Sequence, residues 1–203
     1  MARKRDEEGM KSRLMNAAMA AFSRKGLGEC TMEDVAREAS IAKGTTYLYF
    51  KSKEQLMVVM YEHYTTRMLK SQKEFIAKAE NIPARKLLEM VCRNFLKEAL
   101  RYRRTFGLWF QFLALSSSPQ MRDTIKRILA NNYSGHSSYL EGILDRGIAA
   151  GEFRPEINKR AVAASFTSVL EGLLIRDYAD KTIVQVEEDY LATMQLILDG
   201  ITR

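Results

Sequence analysis

The sequence predicts an all-α protein of about nine helices. Three observations predict it. Apolar residues recur at three- and four-residue spacing nearly throughout the 203 residues. Alternating strand patterns are almost absent. Only three prolines, Pro83, Pro119 and Pro155, punctuate the chain. Hydrophobic residues make up 46%, enough for a sizeable core.

The first helix covers about Glu7 to Lys25, with Leu14, Ala17, Ala18, Ala21 and Phe22 on one apolar face and Gly26 as its C-terminal cap. Thr31 opens a second, from about Met32 to Ala39. Thr31 and Asp34 have capping-box spacing, with Asp in place of the usual Glu or Gln. The break Ser40-Ile41-Ala42 precedes a third short helix, from about Lys43 to Leu48. Ser52 and Gln55 form a regular capping box for a fourth, which continues to about Ala79. Pro83 restarts a helix to about Tyr102, and another, dense in aromatics, covers Thr105 to about Leu115. Ser118-Pro119 starts a long helix that reaches about Ala150 and is ended by Gly151 and Pro155. Two more helices cover about Asn158 to Tyr178 and Ile183 to Ile201.

The net charge of +7 and a pI near 9.4 favour an anionic partner. Residues 1–60 hold eleven basic and eight acidic side chains, so the charge is not concentrated there and local clustering must identify the partner. Cys30 and Cys92 fit neither a metal spacing nor a disulfide framework, which suggests a reducing cytosol. The N-terminal "MARKRDEEG" has no apolar run behind it to make a signal peptide. No stretch approaches the ~20 apolar residues of a membrane span. A cytoplasmic protein is expected, with no membrane partner. The histidines, His63 and His136, have no ligating neighbours in the sequence, and no metal or cofactor is expected. There is no nucleophile elbow or phosphate loop, and the Gly-x-Gly of "KGLGEC" is a helix end without a preceding strand. The chain is therefore not read as an enzyme.

The stretch "SIAKGTTYLYFKSKEQL", Ser40 to Leu56, holds the functional signal. Two short helices joined by a tight break make a helix-turn-helix, whose second helix suits a major groove. Gly44 lets the backbone approach DNA closely. Lys43 reaches a guanine edge or a phosphate. Thr45, Tyr47 and Tyr49 offer hydroxyls to phosphate oxygens, and Leu48 can meet a thymine methyl. Lys53 lies in the first turn of the fourth helix, where positive charge opposes the helix dipole and suits a phosphate contact instead. No acidic residue occurs between Ser40 and Lys53.

Residues 11–60 resemble the tetracycline-repressor (TetR/AcrR) family of bacterial regulators. The matching pieces are "AAMAAFSRKG", "TMEDVAREASIAKGTTYLYF" and "KSKEQL". Thr31, Lys43, Gly44, Thr45, Tyr47, Tyr49, Phe50, Ser52, Lys53 and Glu54 fall in register with the family's pattern. Two positions depart from it. Ser40 stands where glycine usually makes the turn, at a cost of about 1 kcal/mol for a left-handed residue. Ala42 stands where Ser or Thr often caps the recognition helix, a loss of about 1 kcal/mol. The resemblance implies a helix-turn-helix DNA-binding domain over 1–52, with Arg3, Lys4 and Arg5 as a basic arm or a solubilising tail. It implies an effector-binding and dimerisation domain over 53–203, a homodimer, a palindromic double-stranded operator and a repressor released by a ligand. A helical dimeric scaffold, or an activator without small-molecule induction, is the alternative.

Past residue 70 the resemblance is architectural only. Phe95, Tyr102, Phe106, Trp109, Phe110 and Phe112 can line a pocket for a small apolar or amphipathic effector, or form core. Asn131, Asn132, Tyr133 and His136 interrupt the long helix with polar groups that would orient such a ligand, or lie on a solvated face. On the last two helices, Val162, Phe166, Val169, Leu173 and Leu174, then Ile183, Val186, Tyr190, Met194, Ile197 and Ile201, form broad apolar stripes. They suggest a four-helix seam between two subunits, or form the core of a single chain.

Overall fold

A computed structural model describes residues 2–79, 81–101 and 103–203, with side chains for all of these except 2–5 and 104. Tyr102 and the side chains of Arg3, Lys4 and Arg5 thus lie outside the described residues. Within them the chain is all-helical. The order is α1 (Ala2–Glu29), α2 (Met32–Glu38), α3 (Lys43–Tyr49), α4 (Lys53–Ala77), α5 (Ala84–Arg101), α6 (Gly107–Ala114), α7 (Pro119–Ala149), α8 (Lys159–Ala179) and α9 (Val186–Ile201). Single 3-10 turns, Arg103–Thr105 and Leu115–Ser117, flank α6. The described extended pairing is one antiparallel bridge, Phe153 to Thr202.

The chain divides into two compact units, residues 1–66 with 104–128, and residues 67–103 with 129–203. Leu14, Ala18, Phe22, Val35, Phe50, Leu56, Met57 and Phe112 form the core of the first. α1 breaks at Gly26 (φ 73°, ψ 163°), a backbone shape that glycine adopts without steric cost. The helix also starts earlier than its apolar face suggests, and Glu7 and Lys11 pair there one turn apart at 2.8 Å. From α6, Gln111 Oε1 accepts from Leu27 N at 2.5 Å and holds the chain just past the Gly26 break.

In the second unit, Leu87, Leu88, Cys92, Leu140, Leu144, Phe153, Phe166, Tyr190 and Leu198 are buried. Gly151 (φ 76°), two residues past the end of α7, turns the chain back so that Glu152 N and Phe153 N both donate to Gly147 O. The Glu152 carboxylate then caps α5, accepting from Ala84 N at 2.8 Å and Arg85 N at 3.0 Å. α9 starts at Val186, later than the apolar spacing suggests. Asp180 Oδ1 accepts from Thr182 N and Oγ1, which holds residues 180–182 in a turn. Glu187, Glu188 and Asp189 then suit the positive end of the helix. No described helix is long and apolar enough to cross a membrane.

Candidate nucleic-acid interface

α2 is fastened before α3 begins. Thr31 Oγ1 accepts from Asp34 N at 3.1 Å, and Asp34 Oδ2 accepts from Thr31 N at 3.0 Å, closing the capping box that the spacing predicts. Lys25 Nζ reaches Asp34 Oδ1 at 2.6 Å. The Lys25 hydrogen bond, then those from Thr31, hold the Asp34 carboxyl well below the usual carboxylate range. A carboxyl depressed in the folded state stabilises the fold above its unfolded value, and that contribution is lost as pH falls through the folded value. The urea midpoint of the wild type should therefore exceed that of Asp34→Asn at pH 6. The gap should close as the pH is lowered from 4 toward 2. A gap that is constant across this range would exclude the linkage.

The turn into α3 shows both departures from the family pattern. Ser40 has φ 53°, the left-handed conformation usually given to glycine. Ala42 is the extended N-cap of α3 and supplies no side-chain cap. α3 is anchored from inside. Thr46 is fully buried with its hydroxyl donating to Lys43 O at 2.6 Å, and Phe50 is buried behind it. That leaves an outer face of Lys43, Gly44, Tyr47 and Leu48 over two turns. Leu48 is 82% exposed and Tyr47 47%. A leucine so exposed has no packing role within the unit. Thr45 and Tyr49 lie half-buried at the flanks, and Lys51 is exposed just beyond. Lys43 Nζ is 3.2 Å from Glu33 Oε2, an exposed pair of small net value. Arg24 meets Glu38 at 2.5 Å, so each carboxylate of α2 faces a cation.

Lys53 has a role the sequence did not suggest. Its Nζ donates to Gly28 O at 2.6 Å and to Cys30 O at 3.0 Å. It satisfies carbonyls at the end of α1, which accounts for a basic residue in the first turn of α4. Ser52 Oγ accepts from Gln55 N as predicted, whereas the Gln55 side chain closes onto Lys51 N.

A buried anchoring face, a tight turn, and an outward face of lysine, glycine, tyrosine and leucine together make a helix-turn-helix. Two family models match the chain. Residues 14–60 match the tetR family of bacterial regulatory proteins. Residues 83–198 match the C-terminal domain of BetI-type transcriptional repressors. The chain belongs to the TetR family of transcriptional regulators. It is similar to the transcriptional repressor KstR2 of Mycolicibacterium smegmatis, 28% identical over 100% of this chain and 92% of that protein. It is similar also to the fatty acid metabolism regulator protein of Bacillus subtilis, 26% identical over 72% of each. Among solved structures, FadR of Bacillus subtilis in complex with stearoyl-CoA has a TM-score of 0.73 at 21% identity, over 94% of this chain and 98% of that one.

The remaining candidate residues of this TetR-family chain divide between the two units. In the first unit Trp109 stacks on Tyr61 with ring centroids 5.3 Å apart, and Tyr61 stacks on the fully buried Phe112. Phe106 and Phe110 meet edge to face at 5.5 Å. In the second unit the Phe95 ring lies 5.1 Å from His136, whose Nδ1 is 2.6 Å from Tyr139 Oη. Asn132 is half-buried, and the exposed Tyr133 donates to Glu171 at 3.4 Å. Gln72, Tyr139 and Tyr190 join the polar interior of this unit without having been singled out for it. Single polar or aromatic residues on apolar helix faces carry no signal of their partners.

The proposed seam residues need correction. Phe166, Tyr190, Met194 and Ile201 are buried inside the chain and have no area left for a partner. Val169, Leu173 and Ile197 are half-buried. The outward face is a different one. On α8 it carries Ala164, Ser168, Gly172 and Ile175, and on α9 Ala192, Leu196 and Gly200. Leu196 is 73% exposed.

Proposed function

We propose that this TetR-type regulator is a cytoplasmic repressor that binds a palindromic operator as a homodimer and is released by a small apolar or amphipathic effector. Residues 1–52 carry DNA binding, and 53–203 carry the effector site and the dimer seam. The observation that carries the reading is the outer face of α3, with Leu48 82% exposed beside Lys43, Gly44 and Tyr47. Leucine in that position serves contact with a base edge in the major groove, while lysine and the tyrosine hydroxyl serve guanine and phosphate. Thr31, Ala42, Thr45, Tyr49 and Lys53 complete the DNA-contact set, with the Thr45 and Tyr49 hydroxyls serving phosphate oxygens. KstR2 is named a repressor, and FadR of Bacillus subtilis holds stearoyl-CoA, which supports a ligand-responsive repressor. No described helix qualifies as a membrane span, which suits a partner in the cytoplasm.

The test is to select bound fragments from the source genome, then titrate the recovered site in gel shifts. Lys43→Ala should cost about 1–3 kcal/mol of operator binding and relax preference at one base pair per half-site. Equal weakening on every sequence would make Lys43 a phosphate contact only. No salt-dependent binding to any duplex would refute the reading.

A further inference from the structure

Among the described residues, the interior of the second unit holds polar atoms that no strong hydrogen-bond partner meets. Both amide atoms of Gln72, Asn132 Oδ1, His136 Nε2 and Tyr190 Oη are buried without a hydrogen-bond partner. Gln72, His136 and Tyr190 are each no more than 2% exposed. Tyr190 faces the Cys92 thiol, a weak partner. Buried polar groups in native proteins are normally paired, so four orphan atoms and a tyrosine hydroxyl with only a thiol beside it call for an explanation in one unit.

These groups share a neighbourhood. α4 and α7 touch where a Cβ on Gly135 would lie 2.9 Å from Leu69 Cδ1. Arg146 Nη2 donates to Ile82 O at 2.6 Å and Nη1 to Ala79 O at 3.3 Å, so the two helices run in the same direction. Gln72, one turn past Leu69, then comes level with residues 138–139. Asn132, His136 and Tyr139 fall at four- and three-residue steps on one face of α7. From α5, Cys92 is within electrostatic reach of both Tyr139 and Tyr190, and Phe95 stands against His136. One water makes about three hydrogen bonds, fewer than the orphan atoms require.

We propose that Gln72, Asn132, His136 and Tyr190 form the polar end of an effector site for an uncharged ligand that carries a hydrogen-bond donor and acceptor together, as a carboxamide does, on an apolar body. The proposal rests on the reading of this chain as a ligand-responsive regulator. The donor set selects this class. Glutamine both donates and accepts, Asn132 Oδ1 accepts, and the tyrosine hydroxyl donates. Burial lowers the His136 pKa to about 4, so the imidazole is neutral at pH 7. Among the described residues no lysine or arginine is buried, and the buried Asp177 is already paired with Arg103. A carboxylate or ammonium entering here would lose its hydration with no opposite charge to meet it.

Decanamide, decanoate and decylamine share one apolar body and differ in the head group. Titration calorimetry on the full chain at pH 7.5 should find decanamide bound at least about tenfold more tightly than either ion. Gln72→Leu and His136→Phe should each erase most of that preference. Gln72→Leu should not lower the thermal midpoint of the free protein, because it removes unmet buried polar atoms, whereas His136→Phe also takes the partner of Tyr139 Oη away and should lower it. If one variant does not fold, the other carries the test. Equal or tighter binding of an ion, no binding of any probe, or unchanged decanamide affinity in the folded variants would overturn the proposal. Gel shifts separate this outcome from the wider reading. Decanamide that binds with the stated pattern but leaves operator bound supports the ligand class and refutes ligand-released repression.

Discussion

Leu196→Asp should convert the protein into a folded monomer that has lost operator binding. Leu196 is 73% exposed on α9, so a carboxylate there stays hydrated in the single chain and costs its fold little. Ala192 and Gly200 lie one turn to either side, and α8 presents Ala164, Ser168, Gly172 and Ile175. Nothing lies within 4 Å of a Cβ built on Gly172 or Gly200. Small residues around one large apolar side chain let a second copy approach closely. In a two-fold seam the aspartate would be buried twice without a counter-charge. A dimer must also present two recognition helices about 34–36 Å apart to reach successive major grooves. Loss of that bivalency should lower operator affinity by on the order of 10²–10⁴. Sedimentation velocity and gel shifts on the same preparation check both statements. A variant that remains dimeric, or a monomer that binds the full site as tightly as the wild type, would place the seam elsewhere. Ile197 is a poorer probe, because it is half-buried and a charge there also disturbs the core.

Gly147→Ala should destabilise the protein, although alanine is the better helix former by about 1 kcal/mol. Gly147 lies near the end of α7, and the fully buried Phe153 ring folds back over it. A Cβ there would overlap the ring carbons and come 3.0 Å from Ala84 Cβ. Phe153 has little freedom to withdraw. Its neighbour Glu152 caps α5, and Arg154 N donates to Ile201 O at 2.9 Å at the end of α9. Overpacking of this kind costs about 3 kcal/mol, or a fall of about 6–12 °C in the thermal midpoint. Gly142→Ala, on the same helix, is the control. Nothing lies within 4 Å of its Cβ position, so the propensity term should act alone and raise stability by about 0.5–1 kcal/mol. A neutral or stabilising Gly147→Ala would mean that the ring moves aside freely.

The helix-turn-helix was legible in the sequence because its signals are local. Thr31 and Asp34 are three residues apart, and their box forms as the spacing predicts. Gly26 breaks α1 where its residue type predicts, and Ser40 takes the left-handed turn despite its side chain. The burial of α8 and α9 was less legible. Phe166, Tyr190, Met194 and Ile201 form an apolar stripe, and a stripe states that a face is covered without saying by what. The core of the chain took that face, and a smoother one of alanine, serine and glycine was left outside. Those residues give almost no periodic hydrophobic signal.

The amino-acid order by itself determined the helical class, the helix-turn-helix and the residues of α3, because helix periodicity, caps and turns depend on neighbours a few positions apart. The tertiary structure alone decided that Lys53 caps α1, that Glu152 caps α5 across 67 and 68 positions, and that Phe153 closes over Gly147. It alone buried Gln72, His136 and Tyr190 inside the second unit with polar atoms left unsatisfied. Such contacts depend on which faces pack together and at what register. A polar side chain on an apolar helix has no local mark that tells a solvated position from a buried one that lacks a partner.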